Sequence, residues 1–108
     1  MIEVLAWCIG AHFIGDIALQ SSWQADNKGK LWYVMLSHCI IWTTCICIPL
    51  RLFGYCTVWT PFWLCAGHYI LDTAKCKFPN TPDYWRLIYP DQLLHLIQII
   101  IAVIGGKP

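Results

Sequence analysis

Apolar positions dominate four stretches of the chain, about residues 2–20, 31–53, 58–76 and 88–104, with turn-forming and charged residues gathered between them. Each stretch is long enough to cross roughly 30 Å of hydrocarbon as an α-helix. The second is interrupted by Pro49, and the fourth opens with Pro90, which suits a first helical turn. The linkers SSWQADNKGK, RLFGYCT and KFPNTPDYWR hold the turn formers and most of the charge. This pattern predicts an all-α integral membrane protein, an antiparallel four-helix transmembrane bundle forming one domain over residues 1–108.

Polar residues break the apolar runs at regular places. AHFIGD and GHYILD lie 56 residues apart, and MLSHCII and QLLHLIQ lie 57 apart. The chain therefore reads as a tandem-duplicated helical hairpin, about 1–54 and 55–108, with the copies related by an axis along the membrane normal. Within the runs, His12 and Asp16, His68 and Asp72, and Asp91 and His95 are each four residues apart. That spacing puts both members of a pair on one helix face. The first and third runs carry their pair near the C-terminal end, while the second and fourth carry His38 and the Asp91–His95 pair near the N-terminal end. In an up-and-down bundle these levels coincide, on the side of the two longer linkers.

Composition strengthens the membrane reading. The chain is 58% hydrophobic and 12% charged, against about 25% charged in ordinary soluble domains. A soluble domain this small has too much surface to hide so much apolar side chain. The net charge of +1 gives no field for nucleic acid. The first run lacks a basic leader and carries Glu3, His12 and Asp16, so no cleavable signal peptide is expected. The seven cysteines are odd in number, lack metal-finger spacing and mostly fall in or beside apolar runs, where Cys packs as a small hydrophobe. Lys28, Lys30, Lys75, Lys77 and Arg86 flank the longer linkers, against Arg51 and Lys107 on the other side. This excess predicts cytoplasmic linkers, termini outside, and a site near the cytoplasmic face.

Seven ionisable groups at one level exceed what packing needs, since each costs about 2.5–3.5 kcal/mol at a bilayer centre. A lone His on an apolar helix is ordinarily a packed, hydrogen-bonded residue, but repeated i, i+4 pairs point to a site. His and carboxylate donors from several helices are the ligand set of Zn, Mn, Fe or Ni, and resemble di-metal bundles. Candidate ligands are His12, Asp16, His38, His68, Asp72, Asp91 and His95. They suffice either for two ions sharing a carboxylate or for one ion with a spare Asp as base. The first half has Val34 where a fourth ligand would stand, which leaves room for a substrate. Gln20 and Gln92 are candidates to support the ligands, and Lys75 to bind a phosphate. The bland readings are headgroup-facing helix ends for the glutamines and a snorkelling anchor for Lys75. Trp23, Trp32, Tyr84 and Trp85 read as an aromatic belt.

HFIGDIALQSSW, the His of the second run, HYILDTAK and DQLLH together resemble the domain of unknown function 3307 family, short bacterial and phage membrane proteins. The resemblance covers essentially the whole chain and implies the bacterial inner membrane, but no reaction. A more distant similarity is to membrane-bound metal-dependent hydrolases, and it implies hydrolysis. The leading expectation is a metal-dependent hydrolase, with Asp16 as general base, cleaving a lipid-linked ester or phosphoester at the cytoplasmic leaflet. A divalent-cation or proton transporter, which would need a homo-oligomer, is the second. A non-enzymatic membrane module with a structural polar or metal site is the third.

Overall fold

A computed structural model describes residues 1–79 and 81–107; Asn80 of the third linker and Pro108 lie outside the described residues. All regular structure described is helical: α1 (Ile2–Phe13), α2 (Ser22–Asn27), α3 (Trp32–Leu52), α4 (Thr60–Lys75) and α5 (Ile88–Gly105). α1 continues into a π-helical turn, Ile14–Ala18, and α5 is preceded by a 3-10 segment, Pro82–Leu87. The apolar runs thus become α1 with its π turn, α3, α4 and α5.

Two local features depart from expectation. The first linker is not irregular: Ser21 caps α2, its hydroxyl accepting from the Gln24 amide at 3.0 Å. Pro49 does not interrupt α3, which runs on to Leu52. So near the helix end, proline removes a single bond, the one that residue 49 would make to the Cys45 carbonyl. The helix stops at Gly54, whose φ of 81° few other residues adopt, while the Tyr55 amide folds back on the Leu50 carbonyl at 2.7 Å.

The long helices pack in a ring, α3 against α1 and α4, and α5 against α4 and α1. At one end of the ring Val4, Cys8, Ile46, Leu50, Leu64, Ile99 and Val103 form an apolar core. At the other end the interior is polar. Among the described residues, buried polar and charged side chains are as numerous as buried apolar ones, 12 of each, while Ile2, Trp7, Leu52, Trp59, Phe62, Ile70 and many more apolar side chains face outward. Water drives the opposite arrangement, so the exterior suits lipid. Two helical segments, Trp32–Leu52 and Pro82–Gly105 with its 3-10 start, are long and apolar enough to cross a membrane. α4 has 16 residues, or about 24 Å of helix, and α1 with its π turn is only slightly longer. All seven cysteines are free, with Cys8 and Cys39 fully buried. Unreduced, denatured protein should therefore take up seven maleimides by mass spectrometry, and a shortfall of two would reveal a disulfide.

Candidate metal centre

Asp16 leaves the chain in the π turn, where the Leu19 amide bonds the Ile14 carbonyl five residues back. Such turns widen a helix locally and recur at functional sites. Gly15 lets this turn press on α3: a Cβ there would sit 2.9 Å from the Trp42 Cα. Gly15→Ala should therefore push α1 off α3, cost about 1–3 kcal/mol, and draw Asp16 away from His38. A thermal melt in detergent no lower than that of the parent would contradict this close approach.

Asp16 meets His38 of α3 with His68 and Asp72 of α4, all buried. His38 Nε2 lies 3.2 Å from Asp16 Oδ1, 3.1 Å from Asp72 Oδ2 and 3.0 Å from His68 Nε2. His68 Nε2 lies 3.7 Å from Asp16 Oδ1 and 3.5 Å from Asp72 Oδ2. A tetrahedral ion with ligands at 2.0–2.1 Å separates its donors by about 3.3–3.4 Å. These five separations bracket that value. A second group, Asp72, Asp91 and His95, shares Asp72 with the first. His95 Nδ1 donates to the Asp91 carbonyl at 2.7 Å, which leaves the lone pair on Nε2, 3.6 Å from Asp72 Oδ1. Neither His95 Nε2 nor Asp72 Oδ1 has a hydrogen-bond partner among the described residues, though both are buried. Asp72 Oδ1 has the Lys75 ammonium 3.4 Å away as an ion-pair partner, whereas a buried imidazole nitrogen such as His95 Nε2 is rarely left without one. These donors could hold one or two divalent ions, and Asp72 is the residue that both groups would use.

Six of the seven expected ligands come together in these groups, and His12 does not. Its Nδ1 accepts from Trp42 Nε1 at 2.9 Å, so Nε2 carries the hydrogen and donates to Gln92 Oε1 at 2.7 Å. This tautomer follows from the hydrogen-bond network. With both nitrogens engaged, His12 braces the layer, its ring 5.6 Å from that of His95. Gln92 also donates to Asp91 Oδ2 at 3.1 Å and lies 3.5 Å from Asp16 Oδ2, so one amide ties three elements together. Gln20 lies outside this network and lines a cavity beside it. Val34 is a buried apolar residue.

Two side chains of the layer were not among the sequence candidates. Trp42 is fully buried and stacks on His68, with centroids 4.2 Å apart and planes at 13°. Lys28, expected as a linker charge, is buried, its Nζ 2.6 Å from Asp72 Oδ2. The turn after α2 delivers it: a Cβ on Gly29 would lie 2.9 Å from Cys76 Cβ, so this turn is seated on the end of α4. Lys75 reaches Asp91 Oδ2 at 3.1 Å and Asp72 Oδ1 at 3.4 Å. No spacing signal could have found Lys28, which is 44 residues from its partner. With neutral imidazoles, three carboxylates against two ammonium groups leave the layer at −1, which one divalent cation would turn to +1.

No curated protein and no solved structure matches this chain. A family model does match, over residues 4–106, and the chain belongs to that family, described as protein of unknown function (DUF3307).

Proposed function

We propose that the chain is a membrane-embedded, metal-dependent hydrolase acting on a lipid-linked ester or phosphoester at the cytoplasmic leaflet. The observation that carries this reading is the buried set of Asp16 Oδ1, His38 Nε2, His68 Nε2 and Asp72 Oδ2, with separations of 3.0–3.7 Å about both imidazole nitrogens. Zn, Mn or Fe suits such donors. A metal there would supply acidity, lowering the pKa of water toward neutrality. Asp16 gives one oxygen to the donor set and keeps Oδ2 to accept a proton as general base. Gln92 holds that carboxylate, and Asp91 beside it, in place.

In this reading α1 with its π turn, α3, α4 and α5 cross the bacterial inner membrane as an antiparallel bundle, the shorter two with thinning of the bilayer or snorkelling at their ends. The outward apolar side chains and inward charges support it. The longer linkers are cytoplasmic and both termini outside. Because Lys28 and Lys75 are engaged at the site, this orientation rests on Lys30, Lys77 and Arg86 against Arg51 and Lys107.

The apolar core beyond the polar layer, with Leu50, Leu64 and Val103 fully buried, supports a hydrolase over a cation or proton transporter, which needs a polar path. The Lys28–Asp72 contact favours one other reading, a structural ion-pair network that holds no metal. Metal analysis decides between them. Protein purified in mild detergent, without a histidine tag, should carry stoichiometric metal that a His68→Ala/Asp72→Ala variant loses. A folded parent that takes up no metal would leave only the network.

A further inference from the structure

A cavity of about 420 Å³ opens beside the polar layer, between the end of α4, α2 and the 3-10 segment before α5. Lys28 and Lys75 line it together with Gln20, and Phe78, Tyr84 and Trp85 lie along its walls. We infer that this cavity binds the terminal phosphate of a membrane amphiphile, a phosphomonoester, on Lys28 and Lys75, the two lysines that join it to the carboxylates of the polar layer.

Charge, polarity and place support this ligand class. Each ammonium group has three protons. Lys28 directs one to Asp72, and Lys75 is shared between Asp91 and Asp72, so donors remain for an anion in the cavity. Gln20 lines the cavity as well, and its Nε2 amide, not its carbonyl oxygen, is the atom able to donate to a phosphate. Lys28 and Lys75 are outnumbered by Asp16, Asp72 and Asp91, so it is with a divalent ion in the layer that the surroundings turn positive, which suits an anionic phosphate and disfavours a quaternary ammonium headgroup, which aromatic walls alone would attract. The volume lies within the range of small-molecule sites. Trp23, Trp32, Tyr84 and Trp85 are exposed around this end, as residues at a headgroup boundary are. An amphiphile could thus lay its phosphate on the lysines while its chains stay in lipid. The inference deepens the hydrolase reading by naming its substrate class, and as a substrate site it rests on that reading.

The test is titration calorimetry of detergent-solubilised, metal-supplemented protein, with bound metal measured on the same sample. The probes are dihexanoyl phosphatidic acid, dihexanoyl phosphatidylcholine and inorganic phosphate. Phosphatidic acid should bind and phosphatidylcholine should not. Lys75→Met should weaken phosphatidic acid at least about tenfold, with Lys75→Arg largely restoring it. Lys75 is the side chain to change because it is 32% exposed, whereas Lys28 is 6% exposed and paired with Asp72. Ala25→Phe, which fills the cavity from an exposed position, should abolish binding without lowering the thermal melt. Inorganic phosphate binding as tightly as phosphatidic acid would overturn the amphiphile. Protein that holds metal but ignores phosphatidic acid, or whose Lys75→Met variant binds it equally well, overturns the cavity assignment and leaves the hydrolase reading standing. Lys75-dependent binding by protein that takes no metal upholds the cavity and removes the hydrolase.

Discussion

Asp72→Asn should empty both candidate ion sites at once, whereas His95→Ala should empty only one. Asp72 is the single residue common to the two donor groups, and it is fully buried. Its Oδ2 faces Lys28, His38 and His68, and its Oδ1 faces Lys75 and His95. Asn keeps the shape but loses the charge, so bound metal should fall to near zero. His95→Ala leaves Asp16, His38, His68 and Asp72 intact and should retain about half the metal of a two-ion protein. The Asn variant should also lose about 3–5 kcal/mol of stability, because Lys28 is left buried opposite a neutral group. Metal mass spectrometry and a thermal melt, run on both variants, read these effects separately. Full metal occupancy in the Asp72→Asn protein would falsify the shared-carboxylate arrangement. Unchanged metal content with His95→Ala would reduce the centre to a single ion held by Asp16, His38, His68 and Asp72, and loss of all metal would contradict that four-residue site.

Trp42→Ala should be the most damaging substitution away from the carboxylates, costing about 3–5 kcal/mol for a buried tryptophan. The indole does two things at once. Its face supports His68 at 4.2 Å, and its N–H fixes the tautomer of His12. Trp42→Phe separates them, since it keeps an aromatic ring and removes only the donor. It should cost about 1–3 kcal/mol, the penalty for leaving His12 Nδ1 unpaired in the interior. Melts of the two variants in the same detergent give the comparison. Equal losses would assign the whole effect to the hydrogen bond, and a harmless Trp42→Ala would contradict the burial.

Much of the site was legible as spacing because i, i+4 proximity is a property of one helix and needs no partner. His68 with Asp72, and Asp91 with His95, could be paired on paper for that reason. The same rule misled at His12. Its relation to Asp16 is also i, i+4, but a π turn begins two residues beyond it, and Trp42 and Gln92 take up both ring nitrogens. The rule was silent on Lys28, whose burial depends on how the turn after α2 sits against Cys76. A charged residue among turn formers reads as solvated unless the tertiary contact is known.

From the order of residues alone come a helical chain, the places of its four apolar runs, and the recurrence of His and Asp within them at helical spacing. These follow from periodicity and composition, which are local quantities summed along the chain. Packing between helices sets which nitrogen and oxygen atoms face one another, makes Asp72 common to two groups, leaves His12 bracing rather than joining them, and brings two lysines to the layer beside a cavity. Those outcomes depend on hydrogen-bond partners drawn from different helices. A buried donor or acceptor takes whichever partner the packing brings within about 3 Å, however far away it lies in the sequence.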